Sequence, residues 1–190
     1  MINMIKRDVQ LAPYLKQQIE DEGIEVAVDP AIQDDEIAII KVDEYYAGLK
    51  SGLSPKSIDF IAVVDCQCQS YAMYLLELKN VNSPTRLNIP DIQEKFSNTI
   101  SGFLSDAFSN IFLNDSFKYK SIQLYLISDA YNECGRFDSH EEYLRFRNRI
   151  NGKDSLKTEL SLGSKLYKFR GRILKIKYDI PPNPLIRHFH

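Results

Sequence analysis

The segment IDFIAVVDCQCQSYAMYLLELKN, residues 58–80, limits what this chain can fold into more than any other. Ile58–Val64 and Tyr71–Lys79 are rich in apolar, β-branched and aromatic residues, so both read as strands, and the polar run Cys66–Ser70 between them reads as a five-residue turn. Facing residues in an antiparallel pair keep a constant number sum, and pairing Asp65 with Tyr71 sets that sum at 136. Ile61 then faces Leu75 and Val63 faces Met73 on one side, while Phe60 meets Leu76 and Ala62 meets Tyr74 on the other. A hairpin that is apolar on both faces belongs at the centre of a sheet covered on both sides.

The flanking patterns supply the covering layers. Pro13 suits the first turn of a helix running to about Asp21, with Gly23 as its stop. Ile24, Val26 and Val28 alternate with Glu25 and Ala27 as a strand, Ile37–Val42 reads as another, and Asp43–Ser57 is a connection with room for a helical turn. Pro90 opens the clearest helix, in which Phe96, Ile100, Phe103, Ala107 and Ile111 recur at steps of three and four. Ser121–Ser128 is a strand, Ser139 with Glu142 forms a capping box for a helix ending at Asn151–Gly152, and Tyr167–Tyr178 is a strand or hairpin. The order predicts an α/β fold, a central mixed sheet with helices on both faces.

Charge divides the chain. Residues 1–135 hold 11 Lys/Arg against 20 Asp/Glu and residues 136–190 hold 13 against 6, so the parts carry −9 and +7 and together the −2 of the whole. We expect one domain overall, an acidic core over 1–135 with a basic C-terminal extension over 136–190 packed on it. Three cysteines do not suit a disulfide framework, no apolar run reaches membrane-spanning length, and the first residues lack signal-peptide features; a cytoplasmic protein without membrane association is expected.

Within the apolar hairpin, Asp59, Glu77 and Lys79 are three ionisable groups at one end of one face, because Asp59 faces Glu77 in the register and Lys79 is two residues on. Facing carboxylates repel, and a divalent cation would offset them. Glu-x-Lys alone also fits an ordinary salt bridge on a strand; the facing aspartate and the element order favour the metal reading. Glu20, Glu22 or Glu44 would be a further acidic ligand or a plain surface residue. Cys66, Cys68 and Cys134 are too few for a four-cysteine metal site, and His188 and His190 read as a polar tail.

Asp59 opening the first strand, Glu77-Leu78-Lys79 closing the second, a helix before and a helix and strand after resemble the PD-(D/E)xK nuclease superfamily, over roughly residues 9–130. The proline preceding the aspartate lies at Pro55, a departure from the pattern. The resemblance implies a restriction endonuclease-like core in which Asp59, Glu77 and the Leu78 carbonyl ligate Mg²⁺, with Mn²⁺ as a substitute, and Lys79 acts on the attacking water. It also implies a homodimer for cutting two strands.

The basic residues suit nucleic acid. Arg145 and Arg149 share a helix face, and Lys168, Arg170 and Arg172 would line one side of a strand, so these five are the candidate DNA contacts. The reading is a Mg²⁺-dependent deoxyribonuclease, restriction-type, with a junction resolvase or other repair nuclease, an inactive DNA-binding module of the same fold, and an unrelated α/β interaction protein as alternatives.

Overall fold

A computed structural model describes residues 1–49, 55–134, 141, 142, 145 and 153–189. Its elements in chain order are α1 (Ile2–Arg7), a 3-10 turn (Ala12–Tyr14), β1 (Leu15–Lys16), β2 (Ile19–Asp21), β3 (Ile24–Val26), β4 (Ile37–Lys41) and α2 (Val42–Gly48). Then come β5 (Phe60–Asp65), β6 (Ser70–Leu78), α3 (Ile89–Asn98), a π-helix (Thr99–Ala107), α4 (Ser109–Phe112), β7 (Lys118–Ile127), α5 (Lys153–Gly163), β8 (Tyr167–Phe169), β9 (Arg172–Leu174) and β10 (Ile176–Asp179). Six strands form a mixed sheet in the order β1-β4-β5-β6-β7-β10, with β6, β7 and β10 mutually parallel. No described helix is long and apolar enough to cross a membrane.

The central hairpin has the register that its sequence dictates: Phe60 pairs with Leu76 and Asp65 with Tyr71. Its side chains divide between two cores. Ile61, Val63, Met73 and Leu75 pack with residues from α1, α2, α3, the π-helix, α4 and α5. Phe60, Ala62, Val64, Tyr74 and Leu76 pack instead against Ile19, Ile24, Val26 and Ile186. The described helices therefore contribute to the first core alone, and the second face is covered by the β2–β3 hairpin and the C-terminal segment. Among the described residues, then, helices cover one face of the sheet rather than the two expected.

The cause lies at Pro13. It sits in the first turn of a 3-10 helix of three residues, but the chain then leaves helical geometry so that Leu15 and Lys16 pair with Ile40 and Ile39 at the sheet edge. Ile19 and Val26 are buried while Glu20 and Glu25 are exposed, the alternation of a strand pair rather than a helix. Glu22 and Gly23, with φ of 52° and 76°, form the two-residue loop with positive φ at both positions that matches strand twist. Gly23 turns a hairpin and stops no helix.

The long helix departs from its predicted stripe for a comparable reason. Phe108 N donates to Phe103 O at 3.0 Å, a five-residue step. That wider turn carries the buried face past Ala107, which is exposed, to Phe108, whose ring lies 4.7 Å from Phe103 and 5.2 Å from Tyr45 of α2. The capping-box helix predicted from Ser139 falls largely outside the described residues. In the C-terminal part, β10 supplies the sixth strand, and Tyr167, Phe169, Ile176, Tyr178 and Ile180 join the first core.

Candidate active site

Asp59 stands one residue before β5 and continues its register opposite Glu77. Its carbonyl accepts from Val42 N at 2.9 Å, tying it to the start of α2, and its Oδ2 accepts from Leu78 N at 2.7 Å. Leu78, the expected carbonyl ligand, thus meets Asp59 through its N–H. The preceding residue is fixed as well, because Ile58 N donates to Thr99 Oγ1 in the π-helix at 3.2 Å. Both carboxylates are removed from water: Asp59 is 5% exposed and Glu77 0%.

Two ammonium groups answer this burial. Lys79 Nζ lies 2.9 Å and Lys95 Nζ, from α3, 2.7 Å from Glu77 Oε1. Glu77 Oε2 is buried without a hydrogen-bond partner. Such an atom forfeits its hydration and gains nothing in return, about 1–3 kcal/mol and more for a charged group. Burial, reinforced by the charge of Glu77, pushes the Asp59 carboxyl up to about 7, against the Leu78 N–H and the two lysines, which favour its ionised form. Burial alone would lower Lys79, but Glu77 and Asp59 outweigh it and hold its pKa above the ordinary lysine value. Lys79 is therefore an ammonium at neutral pH, a source of positive charge and hydrogen bonds rather than a base.

Asp59 has a second set of acidic neighbours. Carboxylate oxygens of Asp21, Asp43 and Asp59 lie within 4.8 Å of one another. The β2–β3 hairpin brings Asp21 there because its turn is held by Asn80, whose side chain donates to Glu22 O at 2.7 Å. Lys41, 6% exposed, already neutralises this group: its ammonium meets Asp21, lies 3.2 Å from Asp43 Oδ2, and sits 4.4 Å above the Phe60 ring. Desolvation lowers the Lys41 pKa, yet the hydrogen bond to Asp21 and the charges of Asp59 and Asp43 raise it overall. Asp21 and Asp43 are thus first of all the counter-ions of a buried lysine. Glu20, Glu22 and Glu44, the acids singled out from sequence, are exposed, and Glu44 pairs with Lys16 at 2.7 Å.

The predicted DNA contacts scatter. Lys168 is exposed, and Arg145 is exposed with an ion pair to Glu141 at 2.5 Å; Arg149 lies outside the described residues. Lys168, Arg170 and Arg172 do not share one side of one strand, because Arg170 and Gly171, with φ of 51° and 72°, are the turn between β8 and β9. The Arg170 guanidinium donates to Leu113 O (2.8 Å), Phe117 O (2.9 Å) and Asp115 Oδ1 (2.9 Å), and Arg172 donates to the carbonyls of Tyr119 and Lys120. Both guanidinium groups bind the chain's own backbone. His188, read as part of a polar tail, has its Nδ1 2.6 Å from Asp65 O.

A cleft of about 550 Å³ is lined by Pro84, Thr85 and Ile89 after β6, by Tyr131 after β7, and by Lys157, Thr158 and Ser161 of α5. It thus draws on the segments that follow the C-terminal ends of two parallel strands, where open α/β sheets bind ligands. No family model, curated protein or solved structure matches this chain.

Proposed function

We propose that the protein is a divalent-cation-dependent phosphodiesterase that cuts DNA, an endonuclease of the PD-(D/E)xK kind. The observation that carries this reading is the unpartnered, fully buried Oε2 of Glu77 in the register position facing Asp59. A carboxylate oxygen kept dry without a donor fits a cation ligand, and Asp59, with its proton affinity raised first by burial and then by Glu77, is the complementary half of such a site. Glu77 and Asp59 would hold Mg²⁺ or Mn²⁺, with the Leu78 carbonyl as the further ligand the resemblance implies. The cation would neutralise charge on the phosphate and make a neighbouring water more acidic.

The remaining work falls to this chain's own groups. Lys79, fixed as an ammonium, orients the water by hydrogen bonding and stabilises negative charge gathering on phosphate oxygens. The cleft past β6 and β7 would give a sugar-phosphate strand a place at the C-terminal end of the parallel strands, and the exposed Lys157, which lines it, and the exposed Lys168 are cations available to its backbone. Two-strand cutting would use a homodimer.

One observation favours a second reading, a DNA-binding module of this fold that does not hydrolyse. Lys79 and Lys95 together neutralise one oxygen of Glu77 without any metal. The two readings separate on incubation of the protein with plasmid, branched and single-stranded DNA in Mg²⁺, Mn²⁺ or Ca²⁺. Cleavage in Mg²⁺ or Mn²⁺, lost in Asp59→Asn and Glu77→Gln, supports the nuclease. Salt-sensitive binding without cleavage supports the module, and inertness towards DNA together with no Mn²⁺ binding by calorimetry ends both.

A further inference from the structure

Among the described residues, Glu77 Oε2 shares its condition with one other buried side-chain atom, Ser128 Oγ: neither has a hydrogen-bond partner. The two stand on the same face at the same end of the sheet. Lys79 N donates to Ile127 O at 2.9 Å, which in a parallel ladder makes Ser128 the neighbour of Lys79 and extends the pairs Glu77–Leu126 and Leu78–Ile127 by one step. Side chains alternate along β7, and Leu124 and Leu126 lie in the helix-covered core, so Ser128 points to the side occupied by Glu77 and Lys79. Its backbone is pinned on the other flank, where Ser128 N donates to Asp179 O at 3.0 Å and Tyr178 Oη donates to Ser128 O at 2.5 Å.

A hydroxyl in this row is costly. Ile122, Leu124 and Leu126 precede it on the same face, all buried, and an alanine would end the row without stranding a polar atom. Geometry says what the hydroxyl is spaced for. Strands lie about 4.8 Å apart and advance about 3.3 Å per residue, so the Cβ atoms of Glu77 and Ser128, one strand across and two residues along, are roughly 8 Å apart. Side chains extended straight toward each other would leave about 3 Å between their oxygens, a hydrogen-bond distance, yet Glu77 Oε2 and Ser128 Oγ make no hydrogen bond with each other, and a water beside a cation would give both of them a partner. Mg²⁺ and Mn²⁺ retain such waters when carboxylates hold them.

Resting on the cation reading above, we infer that Ser128 is a positioning residue of the same site: its hydroxyl hydrogen-bonds a water in the shell of the cation that Glu77 binds. Lys79, its neighbour in the ladder, flanks that water from the adjacent strand. The partner of the Ser128 hydroxyl is thus supplied with the cation, and Glu77 Oε2 gains its own partner in the same event.

Ser128→Ala and Ser128→Thr test this, with Mn²⁺ alone as the probe in calorimetry, thermal unfolding without metal as the control, and cleavage rates as a second readout. Ser128→Ala should unfold within about a degree of the parent or above it without metal. It should bind Mn²⁺ ten- to a hundred-fold more weakly, the usual range for removing a group that orients a metal's ligand shell. Ser128→Thr should restore most of the affinity. A parent that binds Mn²⁺ and a Ser128→Ala variant that binds it equally well would overturn the role of Ser128 and leave the cation site standing. A parent that binds no Mn²⁺ removes the site and this inference together. A Ser128→Ala variant that melts several degrees lower without metal marks the hydroxyl as structural and also overturns it.

Discussion

Lys79 and Lys95 direct their ammonium groups at a single oxygen of Glu77, one from a strand and one from the helix above it. Their exchangeability differs. Lys79 shares its strand face with the carboxylates, whereas Lys95 reaches them only because α3 packs on β6. Lys95→Met should lower stability by about 1–3 kcal/mol, since it leaves a buried carboxylate with half its compensation, while retaining most of the cleavage rate. Lys79→Ala should bind DNA and Mn²⁺ yet cleave on the order of 100-fold more slowly. Denaturant unfolding and initial rates check both. A dead Lys95→Met of parental stability would give Lys95 the chemical role.

Neutralising the two carboxylates should move stability in opposite directions without metal. Asp59→Asn removes a charge that burial and Glu77 disfavour, keeps an oxygen for Leu78 N, and should raise the melting temperature. Glu77→Gln leaves Lys79 and Lys95 facing an amide in a dry site and should lower it. Equal shifts of one sign would contradict the charge arrangement described here.

The Asp59 effect carries a pH signature. Its folded pKa of about 7 lies above the unfolded value near 3.8, so between those values the folded state binds more protons than the unfolded one. Stability from this group is complete below about pH 4, declines as pH rises through the interval and levels off above 7. The parent should therefore lose stability, by an amount of order a few kcal/mol, between pH 4 and 7, and Asp59→Asn should show a shallower loss. Chemical denaturation at pH 5 and pH 8 measures it.

Arg170 and Lys168 should separate folding from binding. Arg170→Ala removes donors from three carbonyls and a carboxylate and should cost about 2–3 kcal/mol in unfolding experiments. Lys168→Ala should leave stability unchanged and, where Lys168 contacts a phosphate, reduce the log–log salt slope of DNA binding by about 0.9. An Arg170→Ala variant as stable as the parent would show those hydrogen bonds to be dispensable.

The turn of the central hairpin offers an independent check. Gln67, Cys68 and Gln69 have φ of 67°, 51° and 57°, three successive left-handed residues without a glycine. Cys68→Gly should stabilise the protein by about 0.5–1 kcal/mol, because glycine has no Cβ to strain there. Destabilisation would place the benefit of Cys68 in contacts of its side chain.

What the sequence made legible was local. Asp59 facing Glu77 follows from alternation and one turn, and the structure keeps that register. Lys95 was invisible beside Glu77 because its position rests on helix-to-sheet packing, which spacing along the chain does not encode. Asp21, Lys41 and Asp43 were hidden for a related reason: β4 meets β5 across the intervening 42–59, and Asp21 arrives on a hairpin that Pro13 and Gly23 disguised as a helix. Arg170 was misread because alternation of basic and apolar residues looks the same in one strand as in a hairpin whose turn falls in the middle. The orphaned Ser128 hydroxyl has no sequence signal at all; a serine ending an apolar run is commonplace.

The late position of β10 in the chain bears on how the protein is made. Its partner β7 ends at Ile127, and Ile176–Asp179 is translated only after a long interval. A nascent chain halted in that interval carries the outer edge of β7 unpaired, with Leu124, Leu126 and Tyr119 still lacking the aromatic and aliphatic cover of Phe169, Ile176 and Tyr178. An unpaired edge of ten residues with such neighbours is a template for pairing with another chain. Docking of Ile176–Asp179 on β7, rather than the closing of the central hairpin, is the step that covers this edge.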